Sequence, residues 1–266
     1  MVEIREESST RGDPAAGDGP STSSSSAPRP NAAITLSEFV STRRVDCVLF
    51  GARVMTLIFC VFFLIPGTGD AENYYRRALL AGAVTYALRL HQRVPAFSFS
   101  REFMATLLLE DACHYLMYTV LFVTASPVTM ALLPIALYAA LHSANFAVTA
   151  LQATGKGDSP MCTKISALTA SQTQNCLGII ACAEIFIVPL LVSLIFVGKA
   201  SIFMPFVYYR FLTLRYASRR NPYTRQAFYQ MRCSLHQISS SPSCPRFAAS
   251  FIDRAVGFIS NLAPAY

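Results

Sequence analysis

The chain has 266 residues, of which 53% are hydrophobic and only 14% are charged, and its mean hydropathy is +0.40. Soluble domains usually carry about 25% charged residues, so this deficit argues against a water-soluble enzyme or binding domain and indicates a protein with several membrane segments. The net charge of +7 does not point to nucleic acid, because no recognition motif accompanies it.

The N-terminal stretch has the composition of an unfolded tail. It is rich in Ser, Pro, Gly, Ala and Asp and has almost no aromatic or β-branched residues, so it cannot bury enough apolar surface to offset the entropy of ordering. Residues 1–34 are therefore predicted to be disordered. Order begins at Thr35, which is predicted to cap a short helix in a capping box with Glu38.

Two segments with different lengths follow the tail. The first apolar span runs from about Val45 to Pro66, with Arg53 near its middle, and residues 66–69 (PGTG) end it. The next segment, Tyr74 to Arg93, has an apolar core of only about 11 residues. Because a straight crossing needs about 20 apolar residues, this second segment is predicted to be tilted or re-entrant.

A membrane hairpin is predicted over Phe103 to Leu151, since each half is about as long as a bilayer crossing and the turn at Ser126-Pro127 is short. Residues 152–176 are predicted to be a polar connector. A further span covers Leu177 to Val197. Residues 200–216 are predicted to run back through or into the membrane after it, as residues 74–93 do after the first span.

The positions of the basic residues favour six embedded segments in three hairpins, with both termini in the cytosol. The predicted fold is thus all-α and polytopic, with about four long spans and two short or re-entrant membrane helices. It divides into the tail (1–34), a helical membrane domain (35–216) and a cytosolic amphipathic helical tail (217–266).

Charged residues inside the predicted spans are costly, so they form the first candidate site. Three interpretations stay open for them: a structural network of ion pairs, an ion or proton path, and a metal site. No catalytic, cofactor-binding or metal-binding residue is predicted, because the histidines are few and no Ser or Cys has an identifiable base. The candidate intramembrane polar network comprises Arg53, Glu110, Asp111, His114 and Glu184.

The C-terminal region contains two amphipathic stretches, from residue 223 and from residue 246. Such helices lie in the membrane interface or pack on the protein's own cytosolic surface, and the sequence does not separate these alternatives. The candidate membrane- or partner-binding residues in and before them are Arg215, Arg219, Arg220, Arg225, Phe228, Met231, Arg232, Leu235, Phe247, Phe251, Ile252 and Ile259.

Several strings in the chain resemble one known family, the Krüppel homolog 2/transmembrane protein 33 family, which includes pore-membrane nucleoporins. The similarity runs from about Val45 to the C-terminus, and its most specific part is the string around residues 208–223. The strings that carry it are YYRRALL, ALRLHQRVPAF, LLEDACHYLMY, SPVTM, ACAEIF and PFVYYRFLTLRYASRRNPY.

The resemblance implies a non-enzymatic multi-pass protein of the endoplasmic reticulum membrane and nuclear envelope. It implies roles in shaping ER tubules with reticulon-type partners, in nuclear pore organisation, and in ER stress and calcium signalling. The implied partners are the lipid bilayer, ER-shaping or nucleoporin membrane proteins and nuclear transport receptors, with no nucleic acid, small-molecule substrate or cofactor. The alternative function is an ion channel or transporter subunit, or a channel regulator, that uses the intramembrane acidic and histidine cluster.

Overall fold

A computed structural model describes residues 33–67, 69–94, 100–218, 221–241 and 244–262. The predicted disordered tail lies outside these residues except for Ala33 and Ile34. All regular secondary structure in the described part is helical, which confirms the all-α, polytopic prediction. The helices are α1 (Leu36–Thr42), α2 (Arg44–Leu64), α3 (Ala71–Arg93), α4 (Arg101–Leu109), α5 (Asp111–Val123), α6 (Thr129–Ala153), α7 (Pro160–Phe196), α8 (Phe203–Ala217), α9 (Tyr223–Ser239) and α10 (Arg246–Leu262).

Four of these helices begin at residues whose side chains cap them. Thr35, Asp70, Ser100 and Ser159 each accept a hydrogen bond from a backbone N–H two or three residues further on. Such caps satisfy one of the donors that the first turn of a helix leaves unpaired. The prediction of Thr35 as an N-cap is confirmed.

Three helices, α2, α6 and α7, are long and apolar enough to cross a membrane, and the bent pair of α4 and α5 would make a fourth. The two segments predicted to be short or re-entrant correspond to α3 and α8, but α3 has 23 residues and is longer than α2, which has 21. An aromatic core joins the end of α2 to the start of α3 and the end of α5 to the start of α8, so the two helices of each pair run in opposite directions. The rings of Phe63 and Tyr75 lie 5.6 Å apart, and those of Phe122 and Tyr208 lie 5.8 Å apart.

The bundle has one main core. At the end where Phe63 contacts Tyr75, α2, α3, α5, α6, α7 and α8 all contribute buried residues to it. Toward the other ends of α2 and α6, Phe50 of α2 packs on Phe146 of α6 with ring centroids 5.1 Å apart. Arg215, near the end of α8, contacts Asp111 at the start of α5, so the two short helices stop at the same depth.

The first half of the predicted hairpin is not one continuous helix. It breaks at Glu110, whose φ and ψ are −86° and 122°, and α4 and α5 meet at an angle of 81°. The reason lies in competing polar contacts. The carboxylate of Glu110 pairs with Arg93 at 3.0 Å, and the imidazole Nε2–H of His114 donates to the carbonyl of Leu108 at 2.7 Å. The second contact satisfies the backbone carbonyl of Leu108, which a continuous helix would have bonded to the N–H of Ala112.

The prediction of a polar connector over residues 152–176 is wrong. Only 154–159 lie outside helices, and α7 runs unbroken from Pro160 to Phe196. Its polar first half is helical, and hydroxyl groups along it bond back to the preceding turn, as Thr173 does to the carbonyl of Thr169 at 2.6 Å. Proline also suits the first position of a helix, where its missing N–H costs nothing.

The alternating directions predict the sidedness of the turns. We expect the turns at 65–70 and 197–202 to be lumenal and the turn at 154–159 to be cytosolic, because the basic residues cluster beside the latter side. A flexible loop carrying a glycosylation sequon, inserted into one turn at a time, tests this in microsomes. Glycosylation is expected at the first two positions, and glycosylation of the loop at 154–159 would contradict the topology.

Candidate functional site: a buried ionic network

Arg215 is the centre of a polar network inside the bundle. Its side chain is 1% exposed and reaches three neighbouring helices. The Nε–H group donates to the Oε1 atom of Glu184 at 3.2 Å, and Nη1 donates to the Oδ1 atom of Asp111 at 3.2 Å. Nη2 donates to the hydroxyl of Tyr138 at 3.1 Å. One guanidinium group thereby joins α8 to α7, α5 and α6.

Glu184 lies in the middle of α7, and its side chain is fully buried. Besides Arg215, its carboxylate accepts hydrogen bonds from the hydroxyl groups of Tyr115 and Thr224, the latter at 3.4 Å. The hydroxyl of Tyr208 donates to the backbone carbonyl of Glu184 at 2.8 Å. Both carboxylate oxygens are therefore already bound by donors of the protein itself.

The sequence of α8 explains why Arg215 points inward. The buried residues of this helix follow one another at intervals of three or four, and Arg215 continues the stripe that includes Tyr208 and Phe211. The ring of Tyr115 lies 5.0 Å from the guanidinium carbon and provides a cation–π contact. A buried guanidinium needs such partners, because removing its charge from water costs several kcal/mol, on the order of what good pairing recovers.

The connection between α8 and α9 also donates hydrogen bonds to the network. Ser218 donates its hydroxyl hydrogen to Asp111 at 2.9 Å, and the amide of Asn221 donates to the hydroxyl of Tyr138 at 2.9 Å. The side-chain oxygen of Asn221 accepts from the backbone N–H of Tyr223 at 3.1 Å, where α9 begins. Asn221 thus contacts both the network and the first residue of α9.

The predicted contacts among Glu110, Asp111 and His114 are present only in part. Nδ1 of the His114 imidazole lies 3.7 Å from Oδ1 of Asp111, so these two side chains are close. Glu110 pairs with Arg93 of α3 instead. The two acidic residues thus have different partners, Arg93 for Glu110 and His114 for Asp111.

The other predicted network residues are placed as follows. Arg53 is 3% exposed on α2. Asp111 and Glu184 are brought together, but by Arg215, which the sequence analysis had assigned to the membrane- or partner-binding surface. That placement of Arg215 is corrected by its burial. The inward stripe of α8 was the sequence signal that could have found it, because Arg215 lies seven residues, two helical turns, after Tyr208.

The predicted C-terminal surface residues fall into distinct environments. Phe228 and Met231 pack on a cluster formed by Ala181, Ile185 and Leu212. This part of α9 therefore packs on the protein's own surface, one of the two predicted alternatives. Phe247 and Phe251 of α10 are exposed by 79% and 74%. Arg225 and Arg232 are exposed, whereas Leu235 and Ile252 are half-buried; Arg219, Arg220 and the side chain of Ile259 lie outside the described residues.

The chemistry of the network favours a structural role. Glu184 and Asp111 are each bound by Arg215 and by hydroxyl groups, so both carboxylates already have donors within the protein. Among the described residues, no three His, Cys, Asp or Glu side chains are arranged to hold a metal ion.

Comparison with known proteins gives a consistent result. The family described as Transmembrane protein 33/Nucleoporin POM33 matches residues 28–265. A transmembrane protein 33 homolog of Caenorhabditis elegans is 52% identical over 233 residues, which cover 86% of each chain. Transmembrane protein 33 of Homo sapiens is 43% identical over 229 residues, covering 85% of this chain and 93% of the relative.

A more distant relative is Krueppel homolog 2 of Drosophila melanogaster, which is 37% identical over 234 residues, covering 88% of this chain and 84% of the relative. No solved structure matches the chain.

Removal of either partner of the central ion pair should destabilise the protein strongly. We expect Glu184→Gln and Arg215→Met each to lower the free energy of unfolding by about 3–5 kcal/mol, because each leaves a buried polar group without its partner. The double variant should lose less than the sum of the two. Unfolding in detergent micelles, followed by circular dichroism, measures these differences.

The matched control is Arg76→Gln. Arg76 pairs with Glu72 at 2.6 Å, but the side chains are 53% and 51% exposed, so its loss should have little effect. An Arg215→Met variant as stable as Arg76→Gln would contradict the role of the network.

Proposed function

The chain belongs to the Transmembrane protein 33/Nucleoporin POM33 family, and from this premise we propose that it is a non-enzymatic protein of the endoplasmic reticulum membrane and nuclear envelope. Its proposed role is to shape or organise membrane, in ER tubules and at nuclear pores, and to scaffold partner membrane proteins. The family's multi-pass membrane architecture supports the membrane role. The nucleoporin in the family's description supports the nuclear envelope as one of its sites.

One observation carries the membrane-shaping part of the proposal: the aromatic ridge of α10. Phe247 and Phe251 are one helical turn apart and are exposed by 79% and 74%. Arg254, also exposed, follows on the same face of the helix. Two large exposed rings next to a cationic side chain suit the boundary between lipid headgroups and acyl chains, where the rings leave water and the arginine meets anionic lipid.

A second structural feature points in the same direction. At the level of Arg215, α4 leaves the direction of α5 by 81°. Met104 and Leu108 of α4 are exposed by 46% and 39%. Exposed apolar side chains on a helix that turns aside at one end of the bundle suit insertion into one leaflet, and insertion into one leaflet favours curvature.

The proposed partners follow from the family and from the charge of the C-terminal region. Membrane proteins that shape the ER or belong to the nuclear pore are the partners that the family resemblance suggests. Arg225 and Arg232 are exposed on α9 and offer positive charge to an acidic partner, which fits nuclear transport receptors as further candidates.

The alternative function, an ion channel or transporter subunit, would use Glu110, Asp111, His114 and Glu184. The geometry favours it less. An acidic residue that conducts an ion must exchange its partners, whereas Glu184 is bound by an arginine and two hydroxyl groups in a fully buried position. Proton or cation flux through reconstituted protein, abolished by Glu184→Gln in a folded variant, would favour this alternative.

The aromatic ridge gives a direct test of membrane shaping. We expect the purified protein to convert anionic liposomes from spheres into tubules or small vesicles at high protein density. The double variant Phe247→Asp/Phe251→Asp should lose most of this activity, since charged side chains at the ridge oppose insertion into lipid. Electron microscopy of the proteoliposomes provides the measurement.

The control variant Ser234→Asp/Ser260→Asp adds the same charge to exposed positions of α9 and α10 outside the ridge. It should retain most of the activity of the unmodified protein. Liposomes that stay spherical with the unmodified protein, or that are reshaped equally by both double variants, would count against the proposal.

A further inference from the structure

We propose that Ser218, Asn221 and Thr224 form a latch that fixes the position of α9 by binding to the ionic network inside the bundle. All three residues belong to the connection between α8 and α9 or to the first turn of α9. They are exposed by 7%, 9% and 0%, so their polar groups are buried with their partners. The latch concerns how the C-terminal helices are held, and it stands whether or not these helices shape membranes.

Each latch residue binds a different helix of the bundle. Ser218 donates to Asp111 of α5 at 2.9 Å, and Thr224 donates to Glu184 of α7 at 3.4 Å. Asn221 donates to Tyr138 of α6 at 2.9 Å.

These three acceptors are the same groups that the guanidinium of Arg215 binds. Arg215 therefore sets the spacing of the acceptors, and the latch residues match that spacing.

Apolar packing alone holds α9 over only part of its length. Ala227 is buried against α7 and α8, and Phe228 and Met231 are packed on the same cluster. Tyr229 and Ile238 are exposed by 69% and 52%, so the later turns of the helix have less burial to hold them. The buried hydrogen bonds are concentrated at the first turn of α9, where a shift in angle would move the whole helix.

The latch also positions α10, because α10 packs against α9. A change at Arg215 or Glu184 would move the acceptors of the latch and so alter the placement of both C-terminal helices. In this way the positions of groups in the bundle interior are linked to the arrangement of helices at its surface.

Hydrogen exchange of the full chain in lipid nanodiscs tests the latch. The variant Ser218→Ala/Asn221→Ser/Thr224→Val removes two donors and replaces the amide of Asn221 with a shorter hydroxyl, which can still accept from the backbone N–H of Tyr223. We expect the backbone amides of α9 to exchange at least tenfold faster than in the unmodified protein, with exchange in α5 and α7 unchanged. Unchanged exchange in α9 would overturn the proposal, and so would an equal rise in every helix, which would mean general destabilisation.

Two further variants separate the latch from a general role of the network. Tyr208→Phe removes a hydrogen bond to the backbone of Glu184 without touching the latch, so exchange in α9 should stay as it is. Thr224→Ser keeps the donor hydroxyl and should protect α9 better than Thr224→Val. Faster exchange of α9 in Tyr208→Phe, or equal exchange in the two Thr224 variants, would contradict a specific latch.

Discussion

The ion pair between Arg215 and Glu184 is the interaction on which the rest of the structure depends. Inside a bilayer neither charge could stay buried alone, because each would lose its hydration without compensation. The pair is tolerated because every part of it is bound: the guanidinium meets two carboxylates and two tyrosines, and the carboxylate meets two hydroxyl groups as well.

The network also stabilises the ends of the two short helices α5 and α8. The start of α5 and the end of α8 lie within the bundle, where unpaired backbone groups and helix dipoles would be costly. Asp111, in the first turn of α5, places negative charge at a positive helix end, and Arg215, in the last turn of α8, places positive charge at a negative end. Their contact at 3.2 Å lets both helices stop at the same depth within the bundle.

Much of the fold could be predicted from composition and periodicity. The apolar runs of α2 and α6, the segments α3 and α8, and the two C-terminal helices all carry local signals that tertiary contacts did not override. The bend at Glu110 could not be predicted, because it depends on Arg93, which is 17 residues away in the chain. The helical course of residues 160–176 was missed because Ser, Thr and Gln are common in loops, whereas here the hydroxyls of Thr169 and Thr173 bond back to the helix.

About half of the candidate site could be predicted from the sequence. Glu184 and Asp111 stood out as charges within apolar segments, whereas Arg215 sits in a basic stretch that resembles an ordinary membrane flank. Its role follows from its position on the inward face of α8, and Tyr115 and Tyr138 joined the site only through three-dimensional packing.

The central claim is a direct contact between two charged groups in the membrane interior. Solid-state NMR of the protein in lipid bilayers, with labelled arginine and glutamate, measures that contact. A through-space cross-peak between the guanidinium nitrogens of Arg215 and the carboxyl carbon of Glu184 is the expected result. The absence of this cross-peak, together with guanidinium protons of Arg215 that exchange with water as fast as those of exposed Arg225, would contradict it.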